Sequence, residues 1–140
     1  MTRTFRSSLL TAVTAAGVLA LSAASAADVQ IKLSGQEETP PVTTTATGTA
    51  TIAVSADKKV TGSVKTAGVD GTAAHIHSGG PGEKGPPVIT LTKGENGGWT
   101  VPADATLTDE QYAAYKAGKL YINIHSAANK GGEIRGQIKP

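Results

Sequence analysis

The sequence predicts an all-β protein, an antiparallel Greek-key β-sandwich of seven to eight short strands with one short helix near 108–117. Short segments in which polar and apolar residues alternate recur along the chain, as expected for half-buried strands. Stretches rich in Gly, Pro and Thr separate these segments and predict turns. Only one segment carries the signals of a helix. A small β-barrel is an alternative that these patterns do not distinguish from a sandwich.

The strands follow from the alternation in chain order. Segment 49–54 (TATIAV) alternates polar and apolar residues, and segment 59–65 returns as its hairpin partner after a turn at Asp57-Lys58. The connection after the first strand and the loop SGGPGEKGPP are too rich in Gly, Pro and Thr to be regular. The predicted strands are 29–33, 49–54, 59–65, 72–78, 88–91, 99–101, 120–125 and 133–139.

The single helix is predicted from its end signals. Thr108 is followed three residues later by Gln111, which is a capping-box arrangement. Asp109 and Glu110 fall in the first turn, where acidic side chains interact favourably with the helix dipole. Gly118 follows as a stop signal.

The amino terminus has the pattern of a secretory signal peptide. Arg3 and Arg6 precede an apolar run from 9 to 21, and Ala24-Ser25-Ala26 provides an A-x-A cleavage site. We therefore expect a signal peptide over 1–26, a mature domain over 27–140, and export to the periplasm or the cell exterior. The apolar run is short for a membrane span, which needs about 20 residues. No membrane span is expected after cleavage.

Composition excludes several kinds of site. The chain has no cysteine, so a metal site must use imidazole, carboxylate, amide or water ligands. Removing the two arginines of the signal peptide lowers the basic count from 13 to 11, equal to the 11 acidic residues, so the mature net charge is zero. The scattered basic residues predict no nucleic-acid partner. There is also no G-x-S-x-G hydrolase motif.

All three histidines occupy similar positions in predicted strands. In AAHIHSGG, Ile76 should face the core, which places His75 and His77 together on the opposite face. In YINIHSAA, the same alternation places His125 on the face opposite to Ile124. If the two strands are neighbours, three imidazoles share one surface and can bind one ion, with copper the first expectation and zinc the alternative. The alternative is that both Ile-His-Ser segments only make hydrogen bonds to the loops that follow them.

Polar residues on the same predicted faces are candidates for supporting roles. Asn123 and Ser126 can make hydrogen bonds near the imidazoles, and Glu133 can orient an imidazole N–H. Arg135 can attract an anion toward the ion. The alternative is that Glu133 and Arg135 are ordinary exposed charges on a solvated strand.

Three motifs in order resemble the CHRD domain family, which is named for its occurrence in chordin. They are LSGQEETPPVTTTATGTATI, AAHIHSGGPGEKGPPVITL and GKLYINIHSAANKGGEIRGQI. The resemblance covers about residues 29–139. The resemblance implies an extracellular β-sandwich. Chordin itself is an extracellular antagonist of bone morphogenetic proteins. Thr39 departs from the hydrophobic residue that is frequent in the family, which affects local packing.

The layout is also distantly similar to copper/zinc superoxide dismutase, in which an H-x-H supplies copper ligands and a late arginine guides the anion. On that likeness His75, His77 and His125 match ligands and Arg135 matches the guiding arginine. The second-metal ligands and the disulfide of the dismutase have no counterpart.

These observations favour an exported metal-binding module that uses one three-histidine site for copper buffering, delivery or resistance. A metal-free extracellular module for protein interaction or adhesion is the alternative, and a dismutase-like redox enzyme is a lesser one. Enzymatic activity is not the expectation.

Overall fold

The computed structural model describes residues 26–140, so the predicted signal peptide, except Ala26, lies outside the described residues. Within this range nine strands form one antiparallel sheet, with one α-helix and a 3-10 turn. The all-β antiparallel class with one helix is confirmed. There are nine strands instead of seven or eight, because the two-residue strand Thr92–Lys93 is too short to give an alternating pattern.

The strands vary in length from two to eight residues. In chain order they are β1 Val29–Ser34, β2 Thr47–Val54, β3 Val60–Ala67, β4 Gly71–Ser78, β5 Pro87–Thr90, β6 Thr92–Lys93, β7 Gly98–Thr100, β8 Leu120–Ser126 and β9 Ile134–Ile138. The 3-10 turn is Gly35–Glu37, and helix α1 is Asp109–Lys116.

The sheet has the order β5-β4-β8-β9-β1-β2-β3-β7-β6 and is nearly closed. Its two end strands, β5 and β6, are separated in the sequence only by Leu91. The Leu91 N–H donates to the carbonyl of Ala74 in β4 (2.9 Å). The Lys93 ammonium of β6 donates to the carbonyl of Gly71 in β4 (2.7 Å), which holds β6 close to the opposite end of the sheet.

The core lies on one face of the strands, as the alternation predicted. Apolar side chains at every second position of β2, β4, β8 and β9 are removed from solvent, which supplies most of the hydrophobic stabilisation. The fully buried aliphatic side chains are Leu33, Ile52, Val60, Val64, Ile76, Leu120, Ile122, Ile124, Ile134 and Ile138.

Helix α1 begins where the capping box predicted. Thr108 Oγ1 accepts from the Gln111 N–H (3.2 Å), and Gln111 Oε1 accepts from the Thr108 N–H (2.9 Å). The helix ends before Gly118, which has a positive φ of 70°. Tyr115 packs into the core and anchors the helix. No helix within residues 26–140 is long and apolar enough to span a membrane.

Candidate metal centre

The histidines come from two strands that are direct neighbours. Strand β4 pairs antiparallel with β8, with Ala73 opposite His125 and His75 opposite Asn123. His125 is therefore diagonal to His75 on the same face, and His77 lies two residues further along β4. Long side chains reach each other at such diagonal positions. The structure thus places all three imidazoles together on the face opposite to the core.

The imidazoles converge closely. His75 Nδ1 is 3.0 Å from His125 Nε2, and one ring nitrogen from each histidine lies within 4.8 Å of the others. Tetrahedral binding at about 2.0–2.1 Å separates ligand nitrogens by about 3.3 Å. Small side-chain rotations would therefore bring the three nitrogens to the spacing that one ion requires.

Backbone carbonyls fix the orientation of two of the rings. His77 Nδ1 lies 2.9 Å from the carbonyl oxygen of Gly85, and His125 Nδ1 lies 2.8 Å from that of Lys130. A carbonyl oxygen only accepts, so each Nδ1 carries the proton and each Nε2 is unprotonated. Metal-binding histidines are held in this way in proteins.

Burial favours the neutral form of the imidazoles of His75 and His77. It lowers the pKa of His75, with the neighbouring His125 and His77 as further causes. Burial also lowers the pKa of His77, against the opposing effect of the hydrogen bond to Gly85. Because only the neutral imidazole binds a metal ion, both shifts favour metal binding at neutral pH.

The face that carries the histidines is not open to solvent. The alternation was predicted correctly, but loop 79–86 covers much of this face. Tyr121 is 3 % exposed, and its hydroxyl accepts from the Gly85 N–H (3.2 Å). Its ring stacks on His77 with centroids 5.0 Å apart. His77 is consequently buried, whereas His75 and His125 are partly exposed.

Arg135 lies under the same loop and is 2 % exposed. Its guanidinium donates to the carbonyls of Glu83 (2.7 Å) and Gly80 (2.8 Å), and it lies 3.5 Å from the centroid of the Tyr121 ring. The alternative that Arg135 is an ordinary exposed charge on a solvated strand is wrong, because the loop buries it. Its contacts hold the loop on the sheet, and a role in guiding anions stays a prediction.

The other predicted supporting residues have different surroundings. Asn123 is 2 % exposed and lies beside His77. Ser126 Oγ accepts from the Asn129 N–H (3.1 Å). Glu133 accepts from Thr44 Oγ1 (2.8 Å), and hydrogen bonds, that of Ser126 foremost, lower the pKa of Glu133. The roles predicted for these side chains at a metal site stay predictions.

Glu38 is a residue of this region that sequence reasoning assigned to an ordinary loop. It is 7 % exposed, and burial raises the pKa of its carboxyl although Arg135 and Asn123 lower it. Nothing in EETPP indicates this position, since only the pairing of β1 with β9 brings Glu38 near Asn123.

The centre therefore defines a class of protein: a β-sheet module with three convergent imidazoles, a donor set that suits Cu(II) or Zn(II). The sequence model of the CHRD domain family matches residues 29–138, and the chain therefore belongs to the CHRD domain family. No significant match was found among curated proteins or among solved structures.

Proposed function

We propose that this chain is an exported module that binds one metal ion, copper in preference to zinc, through His75, His77 and His125. Its role would be buffering, delivery or resistance outside the cytoplasm. The single observation that supports this most is the convergence of all three histidines of the chain within 4.8 Å.

Two further features support the proposal. His77 Nε2 is buried and has no hydrogen-bond partner among residues 26–140. An unpaired polar atom costs about 1–3 kcal/mol when buried, and a bound ion would remove that cost. The Nδ1 atoms of His77 and His125 already face carbonyl oxygens, so the Nε2 atom of each ring is unprotonated and can bind an ion.

Binding of a metal ion would also change which nitrogen of the His75 ring carries the proton. In the metal-free protein, the Nδ1–H of His75 donates to the unprotonated Nε2 of His125. A metal ion that takes both nitrogens replaces this hydrogen bond. The His75 ring then carries its proton on Nε2, so the ring stays neutral and no net proton is released from it.

The test is a Cu(II) titration of the mature, tag-free protein, because a polyhistidine tag would hide the site. One ion per chain, with an EPR spectrum that indicates several nitrogen ligands, is expected. His77→Ala should weaken binding by about 100-fold or more, since even residues behind the ligands contribute 10–100-fold. Glu95→Gln, which changes an exposed carboxylate in a turn, is the matched control and should leave the affinity unchanged. Equal affinities of wild type and His77→Ala would exclude the site.

Membership of the CHRD family favours a second candidate, an extracellular module that binds a protein partner. In that case the histidines support the loops that follow β4 and β8. The Cu(II) titration separates the two candidates, because a metal-free module would bind no ion tightly at neutral pH. A dismutase-like enzyme finds less support, because the guanidinium of Arg135 is occupied by carbonyl groups.

A further inference from the structure

Three buried polar atoms lack a hydrogen-bond partner within the described part of the chain: Glu38 Oε1, His77 Nε2 and Asn123 Oδ1. All three side chains are more than nine-tenths buried, with exposures of 7, 8 and 2 %. They also form one group, because Asn123 lies beside both Glu38 and His77. Unpaired buried groups are rare in native proteins, and the neighbouring pair His77 Nε2 and Asn123 Oδ1 indicates a site that is completed by a ligand.

A glycine brings the carboxylate and the amide together. A Cβ on Gly132 would lie 2.4 Å from Glu38 Oε1 and 2.5 Å from Asn123 Nδ2, and the φ of Gly132 is +125°. Only glycine fits this conformation and this close approach. The Asn123 amide nitrogen therefore lies on the side of Glu38, and it is also 3.4 Å from the carbonyl oxygen of Gly131. Its Oδ1 is left on the other side, next to His77.

His77 cannot donate to Asn123 Oδ1. A neutral imidazole has one N–H, and the Nδ1–H of His77 is used by the carbonyl of Gly85. The Asn123 oxygen is thus an acceptor placed beside the nitrogen that would bind the ion, and it lacks a donor. A four-coordinate ion held by three imidazoles keeps its fourth position open to a water molecule.

The following inference rests on the proposed metal site. We propose that Asn123 Oδ1 accepts a hydrogen bond from a water molecule bound at the fourth position of the metal ion, and that Glu38 holds the Asn123 amide in this orientation. Asn123 and Glu38 together then determine which further ligands bind to the metal ion. Neutral ligands that carry a proton are favoured, and anions without a proton face an unfavourable oxygen lone pair.

The test measures azide binding to the Cu(II)-loaded protein by the absorption of the copper–azide complex. Asn123→Ala removes the acceptor without changing the charge, and azide should then bind about tenfold more tightly, the effect of one charge-assisted hydrogen bond. Glu38→Gln should give a similar change, because the amide of Asn123 is then free to turn its N–H toward the anion. Glu37→Gln, at an exposed neighbouring carboxylate, is the matched control and should bind azide as the wild type does.

A second measurement needs no variant and so does not depend on whether a variant folds. Pulsed EPR of the Cu(II) protein should detect a strongly coupled proton that disappears when the solvent is exchanged for D2O. Absence of that proton, or unchanged azide affinity in folded Asn123→Ala, would overturn the inference and leave copper binding by the three histidines intact. Failure of the wild type to bind Cu(II) would instead overturn both the proposed function and this inference.

Discussion

Replacing Arg135 with lysine tests whether the guanidinium holds loop 79–86 on the sheet. Lysine keeps the positive charge but has a single ammonium group in place of the planar fork. It cannot reach the carbonyls of Gly80 and Glu83 and the oxygen of Gln137 together, as the guanidinium does at 2.8, 2.7 and 3.0 Å. It also loses the close stacking on Tyr121.

The expected loss of unfolding free energy is about 3 kcal/mol. A hydrogen bond to a charged group contributes about 1.5–3 kcal/mol, and a buried cation–π contact contributes about 1–2 kcal/mol. For a domain of this size the loss lowers the Tm by roughly 10 °C. If Arg135 acted only through its charge, lysine would preserve both stability and function.

Guanidinium chloride unfolding, followed by the fluorescence of the single buried tryptophan, Trp99, measures the change. Lys139→Gln, at an exposed cation next to β9, is the control and should shift stability by less than about 0.5 kcal/mol. Trypsin gives a second readout, because a released loop exposes the bond after Lys84. An Arg135→Lys variant as stable as wild type and equally resistant to cleavage at Lys84 would refute the reasoning.

Three further outcomes are expected. Ile122→Ala, at a side chain with 0 % exposure, should lower the unfolding free energy by about 2–5 kcal/mol in denaturant titrations; a loss below 1 kcal/mol would contradict the core assignment. Gly132→Ala should destabilise by about 2 kcal/mol or more, because its φ is +125° and the methyl group would overlap Glu38; stability equal to wild type would show that the loop rearranges freely. Burial depresses the folded-state pKa of His75 and His77, so the unfolded chain binds more protons below the usual imidazole pKa of about 6.5. Stability without metal should therefore fall as the pH is lowered from 7 to 5, and His77→Gln should flatten that dependence; calorimetry showing the same slope in both proteins would contradict it.

The features that were predictable from the sequence are local ones. The capping box of Thr108 and Gln111 involves residues three apart, so the pattern specifies both hydrogen bonds. The face occupied by each histidine follows from strand alternation, because side chains point to opposite sides at successive residues. The same alternation identified Ile76, Ile122 and Ile124 as core residues.

The features that were not predictable depend on contacts between distant segments. Arg135 was predicted on the outer face of its strand, either as an anion-guiding residue or as a solvated charge, yet loop 79–86 buries it. Alternation assigns a side chain to one face of a strand but does not indicate whether another segment covers that face. Glu38 shows the same limitation, because its neighbour Asn123 is 85 residues away in the sequence.

The sequence by itself determined the all-β class, the single helix and the face of its own strand on which each histidine lies, because each depends on the periodicity or spacing of a few neighbouring residues. The tertiary structure decided that β4 and β8 are adjacent, that loop 79–86 covers their polar face, and that Glu38 meets Asn123. These outcomes depend on strand order and loop packing, which arise from the free energy of the whole chain.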